Sequence, residues 1–121
     1  MKKLARFYIL LSWSMFILIM ISFPTPPYDG TVISWHDKVF HILLFGVFCY
    51  LMAKFLALYS WPKILTLAIA GLLATGYSLG GEYLQGFIPG RTVSIYDFYA
   101  GLAGIVLGLA ISYVRFKRFK T

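Results

Sequence analysis

Four long apolar stretches, separated by short polar or proline-containing intervals, set the pattern of this chain. The first, Leu4–Phe23, is almost uninterrupted and has about the 20 residues that a membrane-spanning helix requires. Pro24-Thr25-Pro26-Pro27 stops it and continues as a loop. Ser34-Trp35-His36-Asp37 then reads as a helix start. The serine can take a free backbone N–H, and an acid in the first turn suits the positive end of the helix dipole. The pattern predicts a second helix over about 35–58 and a turn around Lys54, Ser60, Trp61, Pro62 and Lys63. A third helix follows over about 62–87, with Pro62 at its first position. Ile88-Pro89-Gly90-Arg91-Thr92-Val93 is a tight loop by its Pro-Gly content. Ser94-Ile95-Tyr96-Asp97 repeats the start signal for a fourth helix over about 94–114, and residues 115–121 read as a basic, aromatic tail.

Composition settles the solvent. Hydrophobic residues make up 60% of the chain, aromatic residues 19% and charged residues only 12%, whereas soluble domains carry about a quarter charged. The expectation is a single all-α integral membrane domain over 1–121, an antiparallel four-helix transmembrane bundle. Lys2, Lys3 and Arg6 before the first run raise the alternative of a secretory signal peptide. The run is longer than the usual ~7–15-residue apolar region and has no small-x-small cleavage pattern, which favours an uncleaved helix. Cys49 is the only cysteine, so no internal disulfide can form.

Charge gives the orientation. With both termini in the cytoplasm, Lys2, Lys3, Arg6, Lys54, Lys63, Arg115, Lys117, Arg118 and Lys120 lie inside and only Lys38 and Arg91 outside, nine against two of the eleven basic residues. The net charge of +7 therefore sits where helices meet anionic headgroups, and no nucleic-acid partner is expected. The four acids, Asp29, Asp37, Glu82 and Asp97, and both histidines, His36 and His41, fall on the opposite side.

Helical spacing shows which of these groups can meet. Asp37 and His41 are four apart and share a face. Gly71, Thr75, Ser78, Glu82 and Gln85 form a small or polar stripe on the third helix, and Asp97, Gly101, Gly104 and Gly108 a second stripe on the fourth. Small residues let membrane helices approach closely, so the stripe that packs the fourth helix also points Asp97 inward. Glu82 lies mid-helix without a capping role, and an ionised carboxylate facing lipid there would cost at least ~2.5 kcal/mol. It should face the interior and be paired, protonated or wetted. Asp37, His41, Glu82 and Asp97 are thus the candidate catalytic groups, and Lys38, Gln85, Arg91 and Ser94 the candidate ligand-binding groups. Five of these have a plainer reading: Asp37 and Asp97 as helix starts, His41 and Gln85 as interhelical hydrogen-bonding groups, Arg91 as a lipid-phosphate contact. His36 and Asp29 read as loop surface.

Asp37-Lys38-x-x-His41, then Glu82-x-x-Gln85-x-x-x-Pro89-x-Arg91-x-x-Ser94-x-x-Asp97, then a glycine-spaced helix, resembles the VanZ-like family of membrane proteins over about Asp37–Ser112. The family often carries an asparagine one turn after the last aspartate, where this chain has Gly101. The resemblance implies a small multi-pass protein of the bacterial inner membrane, connected with the cell envelope. The family's name-giving member is associated with resistance to the glycopeptide teicoplanin. It also marks Asp37, His41, Glu82, Gln85, Arg91 and Asp97 as motif positions.

Three functions compete. The first is an outward-facing site for an anionic lipid or a lipid-linked envelope precursor, because two helix N-termini, Lys38 and Arg91 all favour an anion. With binding in place, His41 with Asp37 or Glu82 could act as base and acid, although no nucleophile motif is present. The second is a metal site built from one histidine and carboxylates, less favoured because only Asp37 and His41 share a helix; no cofactor is expected. The third is a non-catalytic bundle whose polar cluster fixes helix packing and docks a membrane partner or a second copy. A transporter is less expected, since four helices enclose little room and none is broken.

Overall fold

The computed structural model describes the backbone of residues 2–22, 35–87 and 95–120, and the side chains of all of these but 35–37. It is a four-helix bundle: α1 Lys2–Ser22, α2 Trp35–Leu56, α3 Lys63–Gln85 and α4 Ile95–Phe119. All four are long and apolar enough to cross a membrane. In hydrocarbon every backbone polar group needs an internal partner, which a continuous helix supplies. Hydroxyls follow the same rule. Ser14, Thr66, Thr75 and Ser112 each donate to the carbonyl four residues back, at 2.7–3.0 Å. Large side chains such as Leu72, Val106 and Val114 are more than 60% exposed on the outside, an arrangement that lipid tolerates and water does not.

The centre of the bundle is the seam between α2 and α4. A Cβ on Gly104 would run into the Ile42 carbonyl, one on Gly108 would lie 2.6 Å from Gly46 O, and one on Gly46 would lie 2.9 Å from Gly104 O. Only glycine lets the two backbones come this close, a distance at which Cα–H groups face carbonyl oxygens across the interface. The glycine stripe predicted on the fourth helix thus meets α2. Its partner Gly46 was not singled out by spacing, because a lone glycine in an apolar run carries no pattern.

Helix α3 covers this pair from the side of its small and polar stripe, with Gly71, Ser78, Glu82 and Gln85 buried and Thr75 half-buried. Helix α1 is attached by side chains reaching backbone. Arg6 Nη1 donates to Lys54 O at 2.8 Å, Trp13 Nε1 to Leu44 O at 2.9 Å, and Tyr77 Oη to Ser14 O at 2.6 Å. These contacts place the beginning of α1 beside the end of α2.

Helix bounds differ from the sequence expectation in instructive ways. Pro62 is the residue before α3, not its first, and its carbonyl accepts from both Thr66 N and Thr66 Oγ1 at 3.0 Å. Helix α3 ends at Gln85, closing with short-range bonds from Gly86 N to Tyr83 O and from Phe87 N to Leu84 O. Helix α4 continues past 114 to Phe119, through the basic segment. Phe116 and Phe119 drive this extension: both are buried with Ala53, Leu56, Ala57, Leu67 and Ala70. The proline loop, Ser34 and the segment 88–94 lie outside the described residues.

A buried polar cluster where three helices meet

The first two turns of α2, the first turn of α4 and the last turn of α3 bring ionisable groups to one place. His41 lies on α2, Glu82 on α3 and Asp97 on α4, and they are 5%, 6% and 7% exposed. One ligating atom from each lies within 4.8 Å of the other two. His41 Nε2 is 3.4 Å from Glu82 Oε1, longer than a normal hydrogen bond. Lys38, three residues before His41 and so on the same face of α2, forms an ion pair with Asp97. The stripes explain the convergence. Asp97 continues the glycine seam of α4, and Glu82 continues the small-residue face of α3.

Two further polar side chains sit on that face of α3. Gln85 and Ser78 are each 1% exposed. Among the described residues, Gln85 Nε2 and Ser78 Oγ have no hydrogen-bond partner. Gln85 follows Glu82 by three residues, and Ser78 precedes it by four. The serine faces α4: its Oγ lies 2.8 Å from where a Cβ on Gly101 would stand, with Phe45 3.3 Å away. A larger residue at position 101 has no room, and a hydroxyl from α3 fills the space. Unlike Ser14, Thr75 and Ser112, Ser78 does not donate to its own helix. A buried polar group left without a partner costs about 1–3 kcal/mol.

Of the candidate residues, His41, Glu82 and Asp97 come together with Lys38 paired to Asp97, and Gln85 is buried on the face of α3 that carries Glu82. Asp37 lies in the first turn of α2 by its backbone. Arg91, Ser94 and Asp29 lie outside the described residues. Pattern reading missed the direct pairing of Lys38 with Asp97. The available signal was the three-residue step from Lys38 to His41, which puts the lysine on the cluster's side of α2.

The electrostatics are uneven. One carboxylate, Asp97, meets Lys38, and the other, Glu82, lies beside the His41 imidazole. The opposite end of the bundle is basic and aromatic. There Lys63 Nζ lies 3.5 Å from the Tyr113 ring centroid, and Lys3 Nζ 4.1 Å from that of Tyr59.

Fold and cluster together define a polytopic helical membrane protein with a polar site enclosed at one end. A sequence model of the VanZ/LLP1 family matches residues 3–116, nearly the whole chain, and the protein belongs to that family. Comparisons with curated proteins and with solved structures each return no match.

Proposed function

We propose that this is a binding protein of the bacterial inner membrane whose polar cluster receives the phosphate-bearing headgroup of an anionic lipid or a lipid-linked envelope precursor. Its four helices run antiparallel with both termini in the cytoplasm, as the distribution of lysine and arginine favours. The cluster then lies beneath the outer headgroups. The observation that carries this reading is the buried donor on the face of α3 that carries Glu82, Gln85 Nε2, without an acceptor among the described residues. A phosphate oxygen supplies such an acceptor. The N-termini of α2 and α4 add partial positive charge to the same end, and Arg91, outside the described residues, is the further candidate that the sequence offers for binding an anion. A link to glycopeptide susceptibility follows from the family name through the envelope precursors that such antibiotics engage.

Native mass spectrometry of the purified protein tests the proposal. Phospholipid or polyprenyl-phosphate adducts are expected on the wild type and should fall sharply with Arg91→Ala. Unchanged lipid occupancy in that variant removes the headgroup reading.

The Lys38–Asp97 pair favours a second reading, in which the cluster only fixes helix register and docks a membrane partner. Glu82→Gln separates the two. A packing role tolerates this near-isosteric change with lipid occupancy unchanged, while in a headgroup site it changes lipid occupancy at unchanged protein abundance.

A further inference from the structure

The cluster's composition points beyond a simple anion site, because two carboxylate side chains stand where a phosphate would have to approach. We infer that His41, Glu82 and Asp97 form a site for a divalent cation of the zinc or manganese type. One imidazole nitrogen and two carboxylate oxygens suit these ions, and the mixed set disfavours magnesium or calcium, which take oxygen ligands. The three ligating atoms come from three different helices and lie within 4.8 Å of one another. Around one ion with bonds of ~2.1 Å they could be at most ~4.2 Å apart. Side-chain rotation closes a gap of that size, with no backbone movement.

A second observation points to the same ligand. Gln85, on the face of α3 that carries Glu82, is 1% exposed and its Nε2 has no acceptor among the described residues. A water on the ion's open coordination position gives it one, as a support to the metal site of the kind that ligand shells commonly have. Lys38 then acts as the internal counter-ion: it occupies Asp97 when the cation is absent and gives it up when the cation binds. The ion adds two positive charges beside the carboxylates, which favours the approach of a phosphate. The metal site shares Gln85 with the headgroup reading but does not require a lipid, so the two can fail separately.

Metal uptake by tag-free protein in detergent is the test. After chelator treatment and reloading with zinc or manganese, one ion per chain should be retained. X-ray absorption of the zinc-loaded wild type should show one imidazole and otherwise oxygen ligands, with no sulfur from Cys49. His41→Gln, Glu82→Gln and Asp97→Asn should each weaken binding at least ~10-fold, with helical content and monodispersity as controls. Lys38→Met should bind the ion more tightly than wild type and gain more thermal stability from it, a result that a purely structural ion pair would not give. Arg91→Ala should keep the ion while losing lipid, so retention of the ion without any lipid adduct overturns only the headgroup reading. Failure of the wild type to retain an ion, sulfur ligation, or equal retention by His41→Gln and wild type would each overturn the metal site.

Discussion

The two ends of the bundle solve the problem of polar groups in an apolar chain in opposite ways. At the end that holds Lys3, Lys63 and Phe119, the charges stay at the rim. Lys63 and Lys3 rest over Tyr113 and Tyr59, Arg6 caps the Lys54 carbonyl, and the buried groups are Phe116 and Phe119. At the far end the charges are inside: His41, Glu82 and Asp97 are each more than 90% buried, and Gln85 and Ser78 have polar atoms without partners among the described residues. An anchoring end needs only satisfied, snorkelling cations and aromatic packing. The far end forgoes stability that apolar residues of similar volume would provide. Such a local departure from the rules obeyed elsewhere in the same chain is how binding sites differ from scaffolds.

Both ends hang on the α2–α4 seam, so the largest effect comes from breaking it. In Gly104→Leu the new side chain must displace the Ile42 carbonyl, which is backbone and cannot rotate away. A loss of at least about 3 kcal/mol is expected. It should be visible as loss of monodisperse protein and of the thermal transition, with lipid and metal binding abolished together. A variant that folds normally would mean that the seam does not organise the two ends.

The anchoring end alone is tested by Phe119→Ala. The ring is 2% exposed and meets Tyr50 edge-on at 5.2 Å between centroids. Its removal should cost about 3 kcal/mol, measured by thermal or denaturant unfolding in detergent. Binding at the far end of the same helix should not change at temperatures where the variant is folded. A parallel loss of ligand would show the ends to be coupled rather than separate.

The contrast was partly legible in the sequence. Apolar run lengths fix four helices, and the 3–4 spacing of glycine and polar residues aims Glu82 and Asp97 inward, because a helix buries one face at a time. The match of Lys38 to Asp97 was not legible, since it depends on the rotation of α2 against α4, set by the mutual fit of Gly46, Gly104 and Gly108. The extension of α4 was equally hidden. Phe116 and Phe119 look like rim aromatics until Ala53, Ala57 and Ala70, far away in sequence, provide a flat bed for them. Ser78 was visible as part of a stripe, but its having no partner among the described residues is a property of three-dimensional surroundings.

A smaller effect on stability is expected from replacing the ion pair as a unit, Lys38→Met with Asp97→Leu. Removing one partner would strand a charge, whereas removing both exchanges a partly buried pair for apolar contacts. Such exchanges are often neutral or stabilising. The double variant should unfold within about 1 kcal/mol of wild type and yet retain no zinc. Stability close to wild type together with lost metal would separate the cluster's role in binding from its role in packing, and a large destabilisation would favour packing.

Gln85→Leu should move stability least, and in the informative direction. The amide is fully enclosed, with one face of α3 placing it beside Glu82, and its Nε2 has no acceptor among the described residues. Leucine has nearly the same volume and no polar group to leave stranded, so the variant should be unchanged or up to about 1 kcal/mol more stable. If the amide serves a bound ligand, lipid occupancy should fall in native mass spectra and the metal affinity should drop modestly, while the melting temperature holds or rises. Stabilising mutations that cost function are expected where a site keeps polar groups ready for a ligand. If Gln85→Leu instead lowered the melting temperature by several degrees without ligand present, the amide would be part of the packing, and the far end would differ from the anchoring end in composition but not in purpose.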